Sequence, residues 1–159
     1  MSIDQHLRTQ RILWVAFVLS LAVYFALAFA LPAPAEATAD RHAPLLWALG
    51  LAAAVNLLTV MPVFKLMLAH AARIGSETRA VGPVLRTHQT AFVVALAQVE
   101  AVGVLGLVLF FVSSRLDWFA LFAGAAALGM LILSPRRAQI DALLQPTTPS
   151  PHPTPIDPA

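Results

Sequence analysis

The chain has 159 residues, of which 59% are hydrophobic and 11% are charged, and its formal net charge is +2. Soluble domains carry about 25% charged residues, so this deficit indicates a membrane protein with one small helical domain. The few basic residues form no patch, which argues against nucleic-acid binding. The absence of cysteine excludes disulfides, thiol catalysis and cysteine-based metal sites.

The first apolar segment, 12–31, carries no charge and follows a polar stretch, 1–11, that contains Arg8 and Arg11. About 20 apolar residues are enough to cross a bilayer as a helix. A cleaved secretory signal would also place basic residues before an apolar region, but that region has about 7–15 residues. The length therefore favours a retained transmembrane helix, with a cleaved signal as the alternative.

The second apolar segment, 45–64, contains the polar residues Asn56 and Thr59. After it, residues 65–89 carry basic side chains and several residues that favour turns. These are Gly75, Gly82 and Pro83. The pattern predicts a polar loop over 65–89, although residues 64–74 could also continue as an interfacial helix.

The third and fourth apolar segments, 90–112 and 118–134, are separated by a short polar connection, which predicts an antiparallel hairpin. The chain then ends in a polar stretch, 138–159, whose last part is rich in proline. Such a composition buries no core, and it predicts a disordered tail.

Four spans would place both termini on the same side of the membrane. The basic residues on that side would be Arg8, Arg11, Lys65, Arg73, Arg79, Arg86, Arg136 and Arg137, against Arg41 and Arg115 on the other side. Because cytoplasmic loops carry the excess of Lys and Arg, both termini are predicted to be cytoplasmic. The sequence therefore predicts an all-α integral membrane protein of the cell membrane, with an up-down four-helix domain over 12–137, a cytoplasmic N-terminus over 1–11 and a cytoplasmic tail.

The acid that stands inside an apolar segment is Glu100, near the middle of 90–112. A charge at this depth costs about 2.5–3.5 kcal/mol or more, so such residues are functional candidates. The apolar segments contain no Lys or Arg to pair with it. We therefore expect a protonatable carboxyl that donates a hydrogen bond, or a carboxylate compensated by an exchangeable ion or by another subunit. Gln98 lies about 200° around the helix from Glu100 and points elsewhere, toward Asn56. Gln98, Asn56 and Thr59 are candidate polar supports.

A local resemblance concerns the same helix. The segment 95–108, Ala-Leu-Ala-Gln-Val-Glu-Ala-Val-Gly-Val-Leu-Gly-Leu-Val, resembles the ion-binding helix of subunit c, the proteolipid of rotary ATP synthases. Glu100 matches the ion-carrying carboxylate of that family, and Gly106 begins the matching Gly-Leu-Val. Ala101 stands where sodium-binding members tend to carry Ser or Thr. The resemblance therefore implies a proton rather than a sodium ion.

Other chemistry has less support. Five histidines lie outside the apolar segments: His6, His42, His70, His88 and His152. His70 and His88 would have to face each other to ligate a haem, and surface histidines are the favoured interpretation, so no metal and no cofactor is predicted. Ser20 and Ser113 have no partner at a spacing that indicates nucleophilic catalysis, and no enzyme activity is predicted.

Two functional hypotheses follow. The first is a proteolipid-like membrane component that binds or translocates a proton at Glu100. The second is a structural subunit in which Glu100, Gln98 and Asn56 fix helix packing or assembly. Both predict the lipid bilayer as surroundings and association of the chain with itself or with a larger membrane complex.

Overall fold

The chain folds into α-helices throughout the residues that the computed structural model describes, which are 3–31, 43–78 and 81–144. The helices are α1 (Ile3–Ala30), α2 (Ala43–Thr78), α3 (Val81–Ser113), α4 (Leu116–Ile132) and α5 (Arg137–Leu144). Three of them, α1 to α3, are long and apolar enough to cross a membrane, and α4 is a shorter apolar helix. The all-α prediction is confirmed, and the chain has the helices of a membrane protein.

Helix α3 lies at the centre of the structure and contacts α1, α2 and α4. Its buried side chains include Leu96 and Val102, which are both fully inaccessible. By contrast, α1 exposes large apolar residues such as Leu19 and Val23. A helix that faces lipid needs an apolar outer surface, and its backbone hydrogen bonds must be satisfied within the helix.

Helices α3 and α4 run antiparallel, as the order of their contacts shows. A Cβ placed at Gly106 would meet Phe122, and one placed at Gly103 would approach Ala126. The two helices are joined through Ser114, which has a positive φ of 56°. The predicted hairpin of the third and fourth apolar segments is therefore present in the structure.

Helix α1 runs parallel to α3, because its early residues contact the start of α3 and its later residues contact the middle. His6 lies beside His88, and Ser20 lies beside Glu100. Trp14 also ties α1 to α4, since its indole N–H donates a hydrogen bond to the carbonyl of Met130 at 2.8 Å. The first apolar segment is thus an integral part of the helix packing.

The connection between α2 and α3 is much shorter than the loop predicted over 65–89. Helix α2 continues to Thr78, and α3 begins at Val81. Pro83 falls in the first turn of α3, where a missing N–H breaks no helical hydrogen bond. Gly75 sits inside α2, where a Cβ would lie 3.0 Å from the side chain of Val84, so it permits a close approach of the two helices. Polarity and turn-forming residues therefore marked the end of the apolar segment and not the end of the helix.

The tail predicted as disordered over 138–159 also begins differently. Its first residues belong to α5, where Ile140 is 1% exposed and packs in a small cluster with Leu7 and Leu85. Ile140 thus packs this short helix against α1 and α3. Residues 145–159, and the segment 32–42 that was predicted to link the first two spans, lie outside the described residues.

Candidate functional site

The acid of the third apolar segment faces α1. Glu100 is partly buried on α3, and two hydroxyl groups of α1 reach one of its oxygens. Ser20 Oγ lies 2.5 Å from Glu100 Oε1, and the Tyr24 hydroxyl lies 2.9 Å from the same atom. Ser20 and Tyr24 are four residues apart, so they occupy the same face of α1 on consecutive turns. The site is therefore built by one helix that carries the acid and one that carries its partners.

Close packing of α1 and α3 brings these groups together. A Cβ placed at Gly103 would lie 2.8 Å from Leu21 Cδ1 and 3.8 Å from Tyr24 Cδ2. Carbon atoms normally touch at about 3.5–4.0 Å, so glycine at this position leaves the space into which α1 fits. Gly103 lies three residues after Glu100, on the same side of α3. The small residue thus sets the distance over which Ser20 and Tyr24 can reach the carboxyl group.

The hydrogen bonds of Ser20 allow Glu100 two protonation states. A serine hydroxyl has one hydrogen to donate and can also accept. Ser20 Oγ lies within bonding distance of both Glu100 Oε1 and the carbonyl oxygen of Phe17, the latter at 2.7 Å. If Glu100 is ionised, Ser20 and Tyr24 both donate to Oε1. If Oε1 carries a proton, Glu100 donates to Ser20, and Ser20 donates to the Phe17 carbonyl.

These two patterns use the same heavy-atom positions. In each of them Tyr24 donates to Oε1, and Ser20 changes only the direction in which its hydrogen points. Buried polar groups that lose a partner cost about 1–3 kcal/mol. The carboxyl group itself keeps both hydroxyl partners in either state.

The predicted polar supports are placed on other faces. Asn56 of α2 donates through Nδ2 to the backbone carbonyl oxygen of Gln98 at 2.6 Å. The side-chain oxygen of Gln98 is buried and has no hydrogen-bond partner within the described part of the chain. Asn56 therefore reaches Gln98 as expected, but through the backbone and not as a pair of side-chain amides. Thr59 is exposed and bonds to carbonyl oxygens of its own helix, so it does not join the Glu100 site.

A second polar cluster lies where α1 and α3 begin, and the sequence reasoning did not find it. His6, Gln10 and His88 are all buried, at 0%, 1% and 2% exposure, and they contact one another. His70, which the haem hypothesis paired with His88, is exposed on α2. The sequence pattern that could have indicated this cluster is the spacing of His6 and Gln10, which lie four residues apart on one helical face.

No group of three or more His, Cys, Asp or Glu side chains suited to a metal ion occurs in the described ranges 3–31, 43–78 and 81–144. Comparison of the chain with protein-family models, with curated proteins and with solved structures finds no match. The functional argument therefore depends on the geometry of the site itself.

Proposed function

We propose that this protein binds a proton reversibly at Glu100 within the membrane, with Ser20 and Tyr24 as positioning residues. The observation that carries the proposal is the convergence of two hydroxyl groups on Oε1 of an acid inside an apolar helix. The second acceptor of Ser20, the carbonyl of Phe17, gives the site a hydrogen-bond pattern for each protonation state. An acid within a membrane span is a functional candidate by default, and this arrangement gives it a specific chemistry.

The proposed membrane arrangement has four spans, formed by the apolar segments 12–31, 45–64, 90–112 and 118–134 of α1 to α4, in an up-down bundle with both termini in the cytoplasm. The alternating directions of the packed helices support this topology, and the distribution of Lys and Arg supports the orientation. Helix α4 has 17 residues and would extend over about 25 Å at 1.5 Å per residue, which is close to the hydrocarbon thickness. In this arrangement Glu100 lies near the bilayer centre of the cell membrane.

A proteolipid-like role is the form of proton handling that we favour. The resemblance of 95–108 to the ion-binding helix of subunit c places the acid of that family at Glu100. Neither Ser20 nor Tyr24 was part of that resemblance, because both belong to α1. We infer that α1 supplies the hydroxyl partners within one chain, and that the protein acts alone, as copies of itself, or within a larger membrane complex.

The test is chemical labelling of the purified protein in detergent micelles with a hydrophobic carbodiimide, which reacts with protonated carboxyl groups. Mass spectrometry across a range of pH locates and quantifies the adduct. We expect labelling at Glu100 to fall as the pH rises, and we expect none at this position in the Glu100→Gln variant. Labelling of Glu77, an exposed acid of α2, serves as an internal control for reagent access.

A structural role is the second candidate, and the Asn56 contact favours it. The hydrogen bond from Asn56 to the backbone of α3 fixes α2 against α3 and has no connection to a proton path. On this alternative, Glu100 would only hold α1 in place through Ser20 and Tyr24. Glu100→Gln would then weaken assembly or thermal stability. The proton-site proposal instead expects normal folding of that variant and loss of proton-linked activity.

A further inference from the structure

The imidazole cluster, formed by His6 and Gln10 of α1 and His88 of α3, is separate from the proton site at Glu100. Gln10 and Ser20 are ten residues apart on α1, which is about 15 Å along a helix. The three members of the cluster are nearly inaccessible, and Ser113 is the other buried polar residue within the described part of the chain. The proposed function of Glu100 makes no use of this cluster.

The geometry assigns donors and acceptors within the cluster. Gln10 Nε2 lies 2.9 Å from His88 Nδ1, and an amide nitrogen can only donate. With the amide in this orientation, Nδ1 of His88 carries no hydrogen. His6 Nε2 lies 3.2 Å from the same atom and shares with Gln10 its single in-plane lone pair. His88 is accordingly neutral in the docked arrangement.

A positive charge on either imidazole would be poorly accommodated. This follows from the ring nitrogen of each histidine that lies outside the His6–His88 contact. His6 Nδ1 and His88 Nε2 are buried and have no hydrogen-bond partner among the residues that the structure describes. A proton added to Nδ1 of His88 would remove the acceptor that both His6 and Gln10 use. A proton added to Nδ1 of His6 would create a charged donor with nothing to receive it. Each protonation therefore leaves a buried charge or breaks contacts between α1 and α3.

Among the described residues, no carboxylate compensates such a charge at this end of the structure. The other titratable and charged residues at this end of the packed helices are all exposed. On α1 and α3 they are Asp4, Arg8, Arg11 and Arg86. On α2 and α5 they are His70, Arg73, Glu77, Arg137 and Asp141. Asp4 lies 3.9 Å from Arg137, so it already faces a cation at the surface.

We propose that the imidazole cluster is a second proton-binding site, and that uptake of a proton there releases the first turns of α1 from α3. Leu7, which follows His6, packs with Leu85 and Ile140, so release would also loosen α5. The ligand is a proton at acidic pH, and the response is a local opening at this end of the helices. The inference does not depend on the function of Glu100.

The physical chemistry of histidine gives the direction and size of the effect. His6 and His88 lie outside the apolar segments 12–31 and 90–112. Burial lowers the pKa of His6, while burial and the nearby His6 lower the pKa of His88 from 6.5 to about 4. A group with a lowered pKa stabilises the docked state above its free pKa and loses this contribution as the pH falls. Linkage for His88 alone predicts that docking weakens roughly 20-fold between pH 7 and pH 5.

Hydrogen–deuterium exchange of the full-length protein in micelles measures this opening directly. Peptides that cover residues 3–11 are followed at pH 7 and pH 5, with correction for the intrinsic exchange rate at each pH. The comparison uses wild type, the double variant His6→Gln/His88→Gln, and His70→Gln as the control for loss of an exposed histidine. Glutamine retains polar atoms at the two positions but does not titrate in this range.

We expect wild type and His70→Gln to lose roughly 20-fold protection over residues 3–11 at pH 5, and the double variant to show less than a threefold change. Equal pH dependence in wild type and the double variant would overturn the proposal. Should the double variant not fold, NMR of wild type with ¹⁵N-labelled histidine measures the protonation of both imidazoles across pH instead. Titration of both His6 and His88 at the ordinary value near 6.5 would then overturn it, and neutral rings at pH 6 would support it.

Discussion

Gly106 lies at a close contact between α3 and α4, and its replacement by alanine tests the packing. A Cβ at this position would lie 2.6 Å from Phe122 Cβ and 3.5 Å from the carbonyl oxygen of Phe119. Carbon atoms touch at about 3.5–4.0 Å, so the new methyl group requires a separation of roughly 1 Å. Because Phe122 Cβ is attached directly to the backbone, a change of rotamer cannot move it away, and the helices must shift.

The size of the effect follows from two opposing terms. Overpacking of this kind costs about 1–3 kcal/mol, while replacing glycine with alanine inside a helix contributes about 1 kcal/mol of stability. Gly124→Ala on α4 is the matched control, since nothing lies within 4 Å of the Cβ it would introduce. The stability gained by replacing glycine with alanine in a helix is the same in both variants. Gly106→Ala should therefore be less stable than Gly124→Ala by about 1–3 kcal/mol.

Reversible unfolding in mixed micelles, followed by the far-ultraviolet circular dichroism of the helices, gives the free energy of unfolding for wild type and both variants. We expect Gly124→Ala to match or exceed wild type and Gly106→Ala to fall below Gly124→Ala. If Gly106→Ala proved as stable as Gly124→Ala, the close α3–α4 contact would not exist in the folded protein, and the packing described around α3 would be refuted.

Three further predictions concern single contacts. Tyr24→Phe removes the hydrogen bond from α1 to Glu100 Oε1, so it should lower the free energy of unfolding by about 0.6–2 kcal/mol; unchanged stability would contradict this contact. Asn56→Leu should lower the free energy of unfolding by about 0.6–2 kcal/mol, whereas Thr59→Val, which loses only hydrogen bonds within α2, should change it less; equal losses would refute the distinction. Ile140→Ala should increase proteolysis after α4 without unfolding α1 to α4, because Ile140 anchors α5; unchanged proteolysis would show that α5 does not depend on this residue.

Much of the fold could be predicted from the sequence because the signal for membrane helices is strong. The apolar segment 12–31 predicted the membrane-length part of α1, although the helix begins at Ile3, inside the stretch 1–11 that was predicted only as a polar N-terminus. The short polar connection before 118–134 predicted the hairpin of α3 and α4. The end of α2 could not be predicted in the same way, because a helix that leaves the apolar region can continue through polar residues. The pair Arg73 and Glu77, one turn apart at 3.5 Å, shows that the polar extension follows helical spacing.

Only part of the candidate site could be predicted from the sequence. Glu100 stood out because an acid in an apolar segment is rare. Its partners Ser20 and Tyr24 did not, since serine and tyrosine are common in membrane helices and the contact joins positions 80 and 76 residues apart. His6 was hidden for a similar reason, because its burial depends on α3 lying beside the polar start of α1. Pairing between helices is a tertiary property that periodicity within one helix does not encode.

Carbodiimide labelling of the full chain across pH is the most direct test of whether Glu100 takes up and releases a proton inside the membrane. We predict an adduct at Glu100 whose yield decreases with rising pH, and a pH profile that changes in Ser20→Ala and Tyr24→Phe while the labelling of Glu77 does not. No adduct at Glu100 at any pH, or a profile that neither variant alters, would contradict reversible proton binding at Glu100 and favour a purely structural role for the acid.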